Sequence, residues 1–472
     1  MANRILLIYP RLDPEGKAHR GAPLSLLTVA APLREAGFEV SIVDLRTDPV
    51  EAVKVDDDTL LVGFSVMTGH QIRGALELSK TIRESNPNVP LVWGGWHATL
   101  LPDQTIAHPL VDVIVRGQGE LTLLELAKVL KDGKSYEGVA GLTYQKDGKP
   151  VNNPDREIAD INTFPMPTYD LVDMSKHIIR DPDYGAHMIA YLTSRGCVHR
   201  CGFCAIRQVY KRKWLDLPVE RVLDEITLLL KTYPKANGIY FEDDNFFINR
   251  RRAKEILKGI LDRGLKIKWT ALGRTDHIVK FDAEILELLR NTGCIQILVG
   301  AESGSQEILD LITKDTTVEQ TVKAVEILQT YGVEPVLSFM VGFPEEVEEY
   351  DATLNLIKRL KKEWPGIDIK LFFYTPFPGS ALYDYALDRG LQPPDKLEDW
   401  VEYTMHNVNV PWVSKKREKR LLNFLFYFRH AYPGPTAGMG KRALATLCRM
   451  RMNLNLFALP WEKKILEALG KA

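Results

Sequence analysis

Cysteine is scarce in this chain, with five residues among 472, and an odd, clustered set of that size excludes a disulfide framework. Long apolar runs are missing too. No stretch of about eighteen uncharged apolar residues occurs, so a membrane-spanning helix is not expected. The opening MANRILLIYPRLDPEG lacks the basic-then-apolar order of a secretory leader, and the chain is read as cytoplasmic. Positive charge is absent where a nucleic-acid binder would need it: the net charge is -1, but Pro411 to Ala472 hold 13 Lys/Arg against 3 Asp/Glu, leaving -11 on the first 410 residues. No nucleic-acid partner is expected from so acidic a body.

What is present is a globular composition, 45% hydrophobic and 26% charged, which argues against general disorder at a length that suits two or three domains. Residues 1–147 alternate strand-like runs (RILLIYP, FEVSIVDL, TLLVGFSVM, VPLVWGG, VDVIVRG) with helical stretches. Runs apolar at nearly every position suit parallel strands buried on both faces, so this block reads as a Rossmann-like, doubly wound α/β domain. Such sheets bind ligands at the carboxyl ends of their strands. Those ends carry Ser65 and Thr68, then Gly94, Gly95, Trp96 and His97, then Gly117, Gln118, Gly119 and Glu120.

Residues 148–185 are punctuated by proline and read as a linker. Residues 186–395 alternate again, with six strand candidates (MIAYLTS, GIYFEDD, KIKWTALG, IQILVGAES, PVLSFMVGFP, DIKLFFYTPF) separated by helices, as expected of a partial (β/α)6 barrel with its site at the strand C-termini. Residues 396–472 read as a mostly helical, basic extension containing LLNFLFYFRHAY, either a cap packed on the body or a segment that contacts an anionic membrane surface.

Three of the five cysteines, Cys197, Cys201 and Cys204, fall together in SRGCVHRCGFCAI, directly after the first barrel strand. Structural zinc takes four ligands, and no second pair is visible. Three thiolates on a cubic four-iron cluster leave one iron open to a substrate or cofactor, whereas a zinc knuckle or a plain electron-transfer cluster would leave the vacancy unused.

The spacing CxxxCxxC, with aromatic Phe203 before the last cysteine, resembles the radical S-adenosylmethionine (SAM) superfamily. The resemblance implies that the three cysteines hold a 4Fe–4S cluster whose fourth iron binds SAM, and that one electron cleaves SAM to methionine and a 5′-deoxyadenosyl radical. It further implies that Glu242, Asp243 and Asp244, ending the second strand, meet the cofactor's amino group. Arg274 would meet its carboxylate, as a guanidinium suits two oxygens. Gly300, Glu302 and Gly342 would lie near adenine and ribose, and Tyr374 would line the pocket as a candidate catalytic residue.

With GGWHATLLPD and RGQGE in the preceding domain, the chain resembles the cobalamin-binding class that includes the anaerobic magnesium-protoporphyrin cyclase and many carbon methylases. The DxHxxG sequence that places a histidine on cobalt is absent; His19 occupies the corresponding loop without its neighbours, so His19 and His97 are read as structural or pocket residues. The resemblance implies an anaerobic methyl transfer from methylcobalamin to a substrate radical, with oxidative cyclisation or ring rearrangement as the alternative. An iron–sulfur redox sensor or scaffold is the alternative from another class. A small hydrophobic substrate and an external electron donor of flavodoxin or ferredoxin type are the expected partners.

Overall fold

In the computed structural model, residues 2–11, 21–344, 350–433, 438–454, 456, 457 and 460–468 are described; His19 lies outside them. The first sheet holds β1 (Arg4–Tyr9), β2 (Glu39–Asp44), β3 (Thr59–Ser65), β4 (Leu91–Gly94), β5 (Val113–Val115), β6 (Leu142–Lys146) and β7 (Lys149–Asn152) in the order β2-β1-β3-β4-β5-β6-β7. Its first five strands are parallel, and TLLVGFS of β3 is buried at six of its seven positions, as a strand covered on both faces must be. Asp147-Gly148 joins β6 to β7 as an antiparallel hairpin, the short turn that a DG pair favours. Because β2 and β3 flank β1 on opposite sides, the strand order reverses there, and a crevice opens at the carboxyl ends of β1 and β3.

The second sheet holds β8 (Ile179–Asp181), β9 (Ala186–Tyr191), β12 (Gly238–Phe241), β13 (Lys268–Gly273), β14 (Cys294–Glu302), β15 (Glu334–Val341) and β16 (Asp368–Phe373), in the order β16-β15-β14-β13-β12-β9-β8. Six of these strands run parallel and are the six expected from the sequence; β8 adds an antiparallel edge. A two-residue ribbon, β10 (Ser194–Arg195) with β11 (Leu215–Asp216), stands apart from both sheets. Helices between the strands begin where side chains can cap them: Asn249, Asp282, Ser305 and Thr317 each accept a bond from the first turn, and Thr317 with Gln320 completes a reciprocal capping box.

Three helices end the chain: Lys415–Ala431, Met439–Asn453 and Trp461–Ala468. The aromatic run turns inward. Phe424, Phe426 and Tyr427 are buried in the main core, and Leu421 packs on Val341 and Phe373 at the end of the second sheet. Among the described residues no helix is long and apolar enough to cross a membrane.

Candidate active site

The cysteines lie in a loop whose two ends are clamped. Ser194 pairs with Asp216 and Arg195 with Leu215, so the β10–β11 ribbon closes residues 194–216 into a hairpin. Beneath it, the fully buried Asp243 accepts from Thr193 N (3.0 Å), Thr193 Oγ1 (2.7 Å) and Ser194 Oγ. Arg252 donates to Thr193 O (2.9 Å) and Leu217 O (2.7 Å), tying the two stems together. Gly196 has a left-handed φ of 81°, and a Cβ there would stand 2.3 Å from Lys213 O, so the backbone reaches Cys197 by a path open only to glycine. At the far side Gly202 N donates to Ile312 O (2.7 Å), and Leu382 N donates to Gly202 O (2.9 Å).

Cys201 is buried, while Cys197 and Cys204 are half-buried. Burial pushes the Cys204 thiol up to about 12 and raises Cys197, so both are protonated until a metal ion takes them as thiolates. Arg274 Nη1 donates to Cys201 Sγ (3.2 Å), Nε to Asp276 Oδ1 (2.9 Å) and Nη2 to Lys314 O (2.5 Å). The guanidinium therefore faces a sulfur and ties the Cys201 side chain to Asp276 and to the Lys314 backbone. Beside it, ligand atoms of His199, Asp276 and His277 lie within 4.8 Å of one another. Burial and the Arg274 charge push His199 down to about 4, but Arg274 already occupies one Asp276 oxygen, so that carboxylate answers a guanidinium first.

The other expected residues of this half are dispersed along the strand ends. Glu302 closes β14 at φ 62°, an uncommon conformation for a residue with a Cβ, and its carboxylate accepts from the buried Lys314 Nζ (2.6 Å). A Cβ on Gly300 would meet that same carboxylate at 2.2 Å. Gly342 O accepts from Trp412 Nε1 (3.0 Å). Tyr374 is buried, stacks on Phe343 with centroids 4.5 Å apart and donates its hydroxyl to Leu382 O (3.1 Å), in the apolar cluster against which Phe203 packs. Lys314 Nζ stands 5.8 Å from the Phe203 ring centre.

The crevice of the first sheet opens into a cavity of about 450 Å³. Ser65, Gly94, Gly95, Trp96, Gly117, Gln118, Gly119 and Glu120 line it, with Tyr9, Ser25 and Arg46, which the sequence reading missed. Arg46 is paired to the buried Asp44 (2.6 Å) and stands 4.3 Å over the Tyr9 ring. Nothing local in VDLR marks this; it needs β1 and β2 side by side. The opposite wall comes from the second half of the chain: Leu192 just after β9, Arg195 in β10, Tyr210 in the cysteine hairpin, and Glu242 and Asp244 just after β12. Arg195 Nη1 donates to Glu120 Oε1 at 2.5 Å, a buried ion pair between the two halves. Gln118 pins the linker, exchanging bonds with Ala159 N (2.8 Å) and Ala159 O (3.2 Å).

Thr68 and His97 stand outside this lining. Thr68 Oγ1 lies 3.0 Å from His97 Nδ1, and the buried imidazole packs on Trp400, with burial holding its pKa down at about 4. His97 is thus neutral and committed to the helix-side wall. Gly95 has φ 90°, and a Cβ would lie 2.7 Å from Val66 N and O. The turn after β4 can lie this close to the Val66 backbone only because that Cβ is absent.

Residues 191–357 match the Radical SAM superfamily and residues 18–127 the B12 binding domain. An uncharacterized methyltransferase of Pyrococcus horikoshii is 33% identical over 412 residues, 85% of this chain and 86% of that protein. The chain belongs to the cobalamin-binding radical SAM enzymes. An anaerobic magnesium-protoporphyrin IX monomethyl ester cyclase of Rubrivivax gelatinosus is 28% identical across 82% of this chain and 70% of its own length. The fold is that of the cobalamin-dependent SAM radical enzyme OxsB with aqua-cobalamin bound (TM-score 0.72, 19% identity, 96% of this chain and 72% of that one).

The cofactors of this radical SAM enzyme are a 4Fe–4S cluster, SAM and cobalamin. Both observed environments fit them: a clamped three-thiol loop with an exposed flank, and a glycine-rimmed cavity at a strand-order reversal. Between the two stand carboxyls that titrate late. Burial, reinforced by Asp243, pushes Glu242 up from 4.5 to about 7, and burial raises Asp244 to about 6 against the pull of Gly196 N–H. A raised carboxyl stabilises the fold only while protonated. Its contribution is whole below about pH 4.5 and is lost as pH rises through about 7. Relative to Glu242→Gln, wild type should therefore lose about 2–3 kcal/mol of stability between pH 4.5 and 8, read from urea midpoints across that range. Parallel curves would show that Glu242 does not titrate there.

Proposed function

We propose that this radical SAM enzyme methylates an unactivated carbon of a small hydrophobic metabolite. In this reading Cys197, Cys201 and Cys204 hold the cluster, and the rim formed by Ser65, Gly94, Gly95, Gly117 and Gly119 holds cobalamin. One observation carries it: the cavity is walled by the first sheet on one side and by Arg195, Glu242 and Asp244, beside the cysteine loop, on the other. A substrate held there would meet both cofactors at once, and the Pyrococcus horikoshii relative bears the name methyltransferase. When bound, the cofactors supply a hydrogen-abstracting adenosyl radical and a transferable methyl group.

The chain's own residues supply position and dryness. Asp243 and Arg252 fix the loop stems, and Arg274 braces Cys201 against Lys314. Glu242, Asp244 and Glu302 are assigned to polar groups of SAM, and Gly300 and Gly342 to its close approach. Tyr374 and Phe203 act through packing, since the Tyr374 hydroxyl is already bonded within the core. Leu7, Phe64, Val92 and Val115 make the cavity floor apolar.

The second reading is oxidative cyclisation, favoured by the cyclase relative at 28% identity. Anaerobic incubation with SAM, a strong reductant and hydrophobic metabolites separates them. Methylation yields 5′-deoxyadenosine and S-adenosylhomocysteine together with a product heavier by one methylene; a cyclised product with 5′-deoxyadenosine alone would favour cyclisation. Absence of 5′-deoxyadenosine from the fully loaded protein would defeat both. The reading places the enzyme in the cytoplasm, supplied by a flavodoxin- or ferredoxin-type donor. Peripheral membrane contact would use the exposed Met439 and Trp461 of the basic C-terminal segment, and sedimentation with anionic vesicles checks it.

A further inference from the structure

Beyond β16 the chain runs back across the first domain as a strap. Its short 3₁₀ helix, Leu397–Glu402, buries Leu397, Trp400 and Val401, and Tyr403 follows them into a core whose other buried members all fall within residues 6–114. Both sides of the strap are pinned. Trp400 Nε1 donates to Gln104 Oε1 (2.6 Å), and Gln104 Nε2 donates to Pro394 O (2.8 Å). At the carboxyl end of β16, Tyr403 donates its hydroxyl to Pro376 O (2.7 Å), Thr375 Oγ1 donates to Thr404 O (3.2 Å) and Phe373 N donates to Met405 O (3.0 Å). The strap also reaches the glycine rim from behind. The Trp400 ring meets His97 edge-on with centroids 5.6 Å apart, and His97 directly follows Gly94, Gly95 and Trp96. His97 N donates to Val66 O (3.1 Å) and the imidazole meets Thr68 (3.0 Å), so the loops after β3 and β4 are held as one unit. Gly69 ends the first of these loops at φ 109°, and a Cβ there would stand 3.2 Å from Thr404 Cγ2. Trp400 and Thr404 therefore back the two loops whose other side, at Ser65, Met67, Gly94, Gly95 and Trp96, lines the cavity.

We propose that Trp400 is a positioning residue for cobalamin: supplied by the second half of the chain, it holds the glycine rim in its binding shape through His97, so that strap docking and cobalamin binding favour one another. This role follows from the assignment of that rim to cobalamin above. A rim already fixed from behind loses less freedom when a ligand settles on it, which strengthens binding without a new contact. Coupling of this kind is reciprocal, so a ligand favoured by the docked strap must in turn keep the strap docked, and by the same factor. The buried ring carries the effect rather than the exposed ion pair Arg73–Glu402 at the end of the same helix, since pairs in solvent contribute little. None of these contacts involves residues 194–216, so the strap serves the cobalamin side of the site and leaves the cysteine loop to its own clamps.

Two measurements on the full-length, cluster-loaded protein test this. Cobalamin is titrated by absorbance, and amide exchange across residues 397–405 is followed by mass spectrometry with and without saturating cobalamin. Cobalamin should slow exchange of the strap about tenfold, and Trp400→Leu should bind cobalamin weaker by a factor of the same size. Trp400→Phe, which keeps a ring against His97, should recover most of that affinity. Exchange in the helix Met439–Asn453, which packs in the main core instead, should not change. Iron content should match wild type in both Trp400 variants, and Arg73→Ala should bind cobalamin normally. Strap exchange indifferent to cobalamin, equal slowing in the helix Met439–Asn453, wild-type affinity in a folded Trp400→Leu protein, or an equal loss in Arg73→Ala would overturn the proposal. The exchange measurement needs no substitution and decides the matter should Trp400→Leu fail to fold. Absence of cobalamin binding by wild type would instead strike the rim assignment itself.

Discussion

Replacing any one of Cys197, Cys201 and Cys204 with Ala should abolish SAM cleavage and strip the protein of iron, whereas Cys294→Ala and Cys448→Ala should do neither. A cubic cluster held by three thiolates has no spare protein ligand, so removing one leaves two irons open and the cluster labile. The remaining cysteines cannot replace the missing thiolate. Cys294 begins β14, at the end of the sheet opposite the cysteine loop, and a strand of that length separates the two ends by about 26 Å. It is buried, which raises its thiol well above the ordinary range. Cys448 lies buried in the helix Met439–Asn453, packed into the main core. Anaerobic reconstitution, iron and sulfide analysis and chromatography of 5′-deoxyadenosine provide the measurement. A drop of about a thousandfold or more in cleavage is expected for each loop variant, comparable to removing an essential group from other active sites. Cleavage retained by any of the three would refute the assignment.

The second large effect is on the joint between the halves. Arg195→Met should cost about 3–5 kcal/mol of stability, because it leaves the Glu120 carboxylate buried without its partner. Glu120 is 2% exposed, and its remaining support is the N-terminus of the helix Gly119–Lys131, worth about 1 kcal/mol. Arg195→Met/Glu120→Met removes both charges and should recover most of the loss, since two apolar side chains of similar length have no charge to desolvate. Both residues also line the cavity, so the single variant should bind cobalamin more weakly in a spectroscopic titration, and the double variant should regain part of that affinity. If the single variant cost less than about 1 kcal/mol, or the double variant were no better, the pair would not be what couples the two halves.

Much of the architecture was legible in the chain. Strand runs such as TLLVGFS are apolar at nearly every position because they are covered on both faces, and that signal survives any rearrangement of their neighbours. The antiparallel β6–β7 hairpin and the edge strand β8 went unread, since LTYQK and IRD carry too few apolar residues to stand out. At the site, the expectation grouped Glu242, Asp243 and Asp244 as one carboxylate set. The fold divides them: Glu242 and Asp244 line the cavity, while Asp243 faces inward to hold Thr193 and Ser194. Successive side chains at a strand end point to opposite faces, but which face meets the ligand depends on the sheet's packing. Arg274 was expected at a cofactor carboxylate; the fold sets its three nitrogens against Cys201, Asp276 and Lys314, contacts that its local sequence does not announce.

The sequence by itself determined the chemistry: three thiols at a fixed short spacing, and glycine-rich strand ends in a parallel α/β domain. Both are local properties, written in consecutive residues and independent of what packs against them. Only the tertiary structure decided that the cavity is shared, that Arg195 reaches Glu120 across 75 positions of chain, and that Trp400 stands behind His97 and the glycine rim. Those outcomes depend on side-chain reach and burial between segments far apart in sequence, where the energy of a charge is set by its partner and its exposure rather than by its neighbours along the chain.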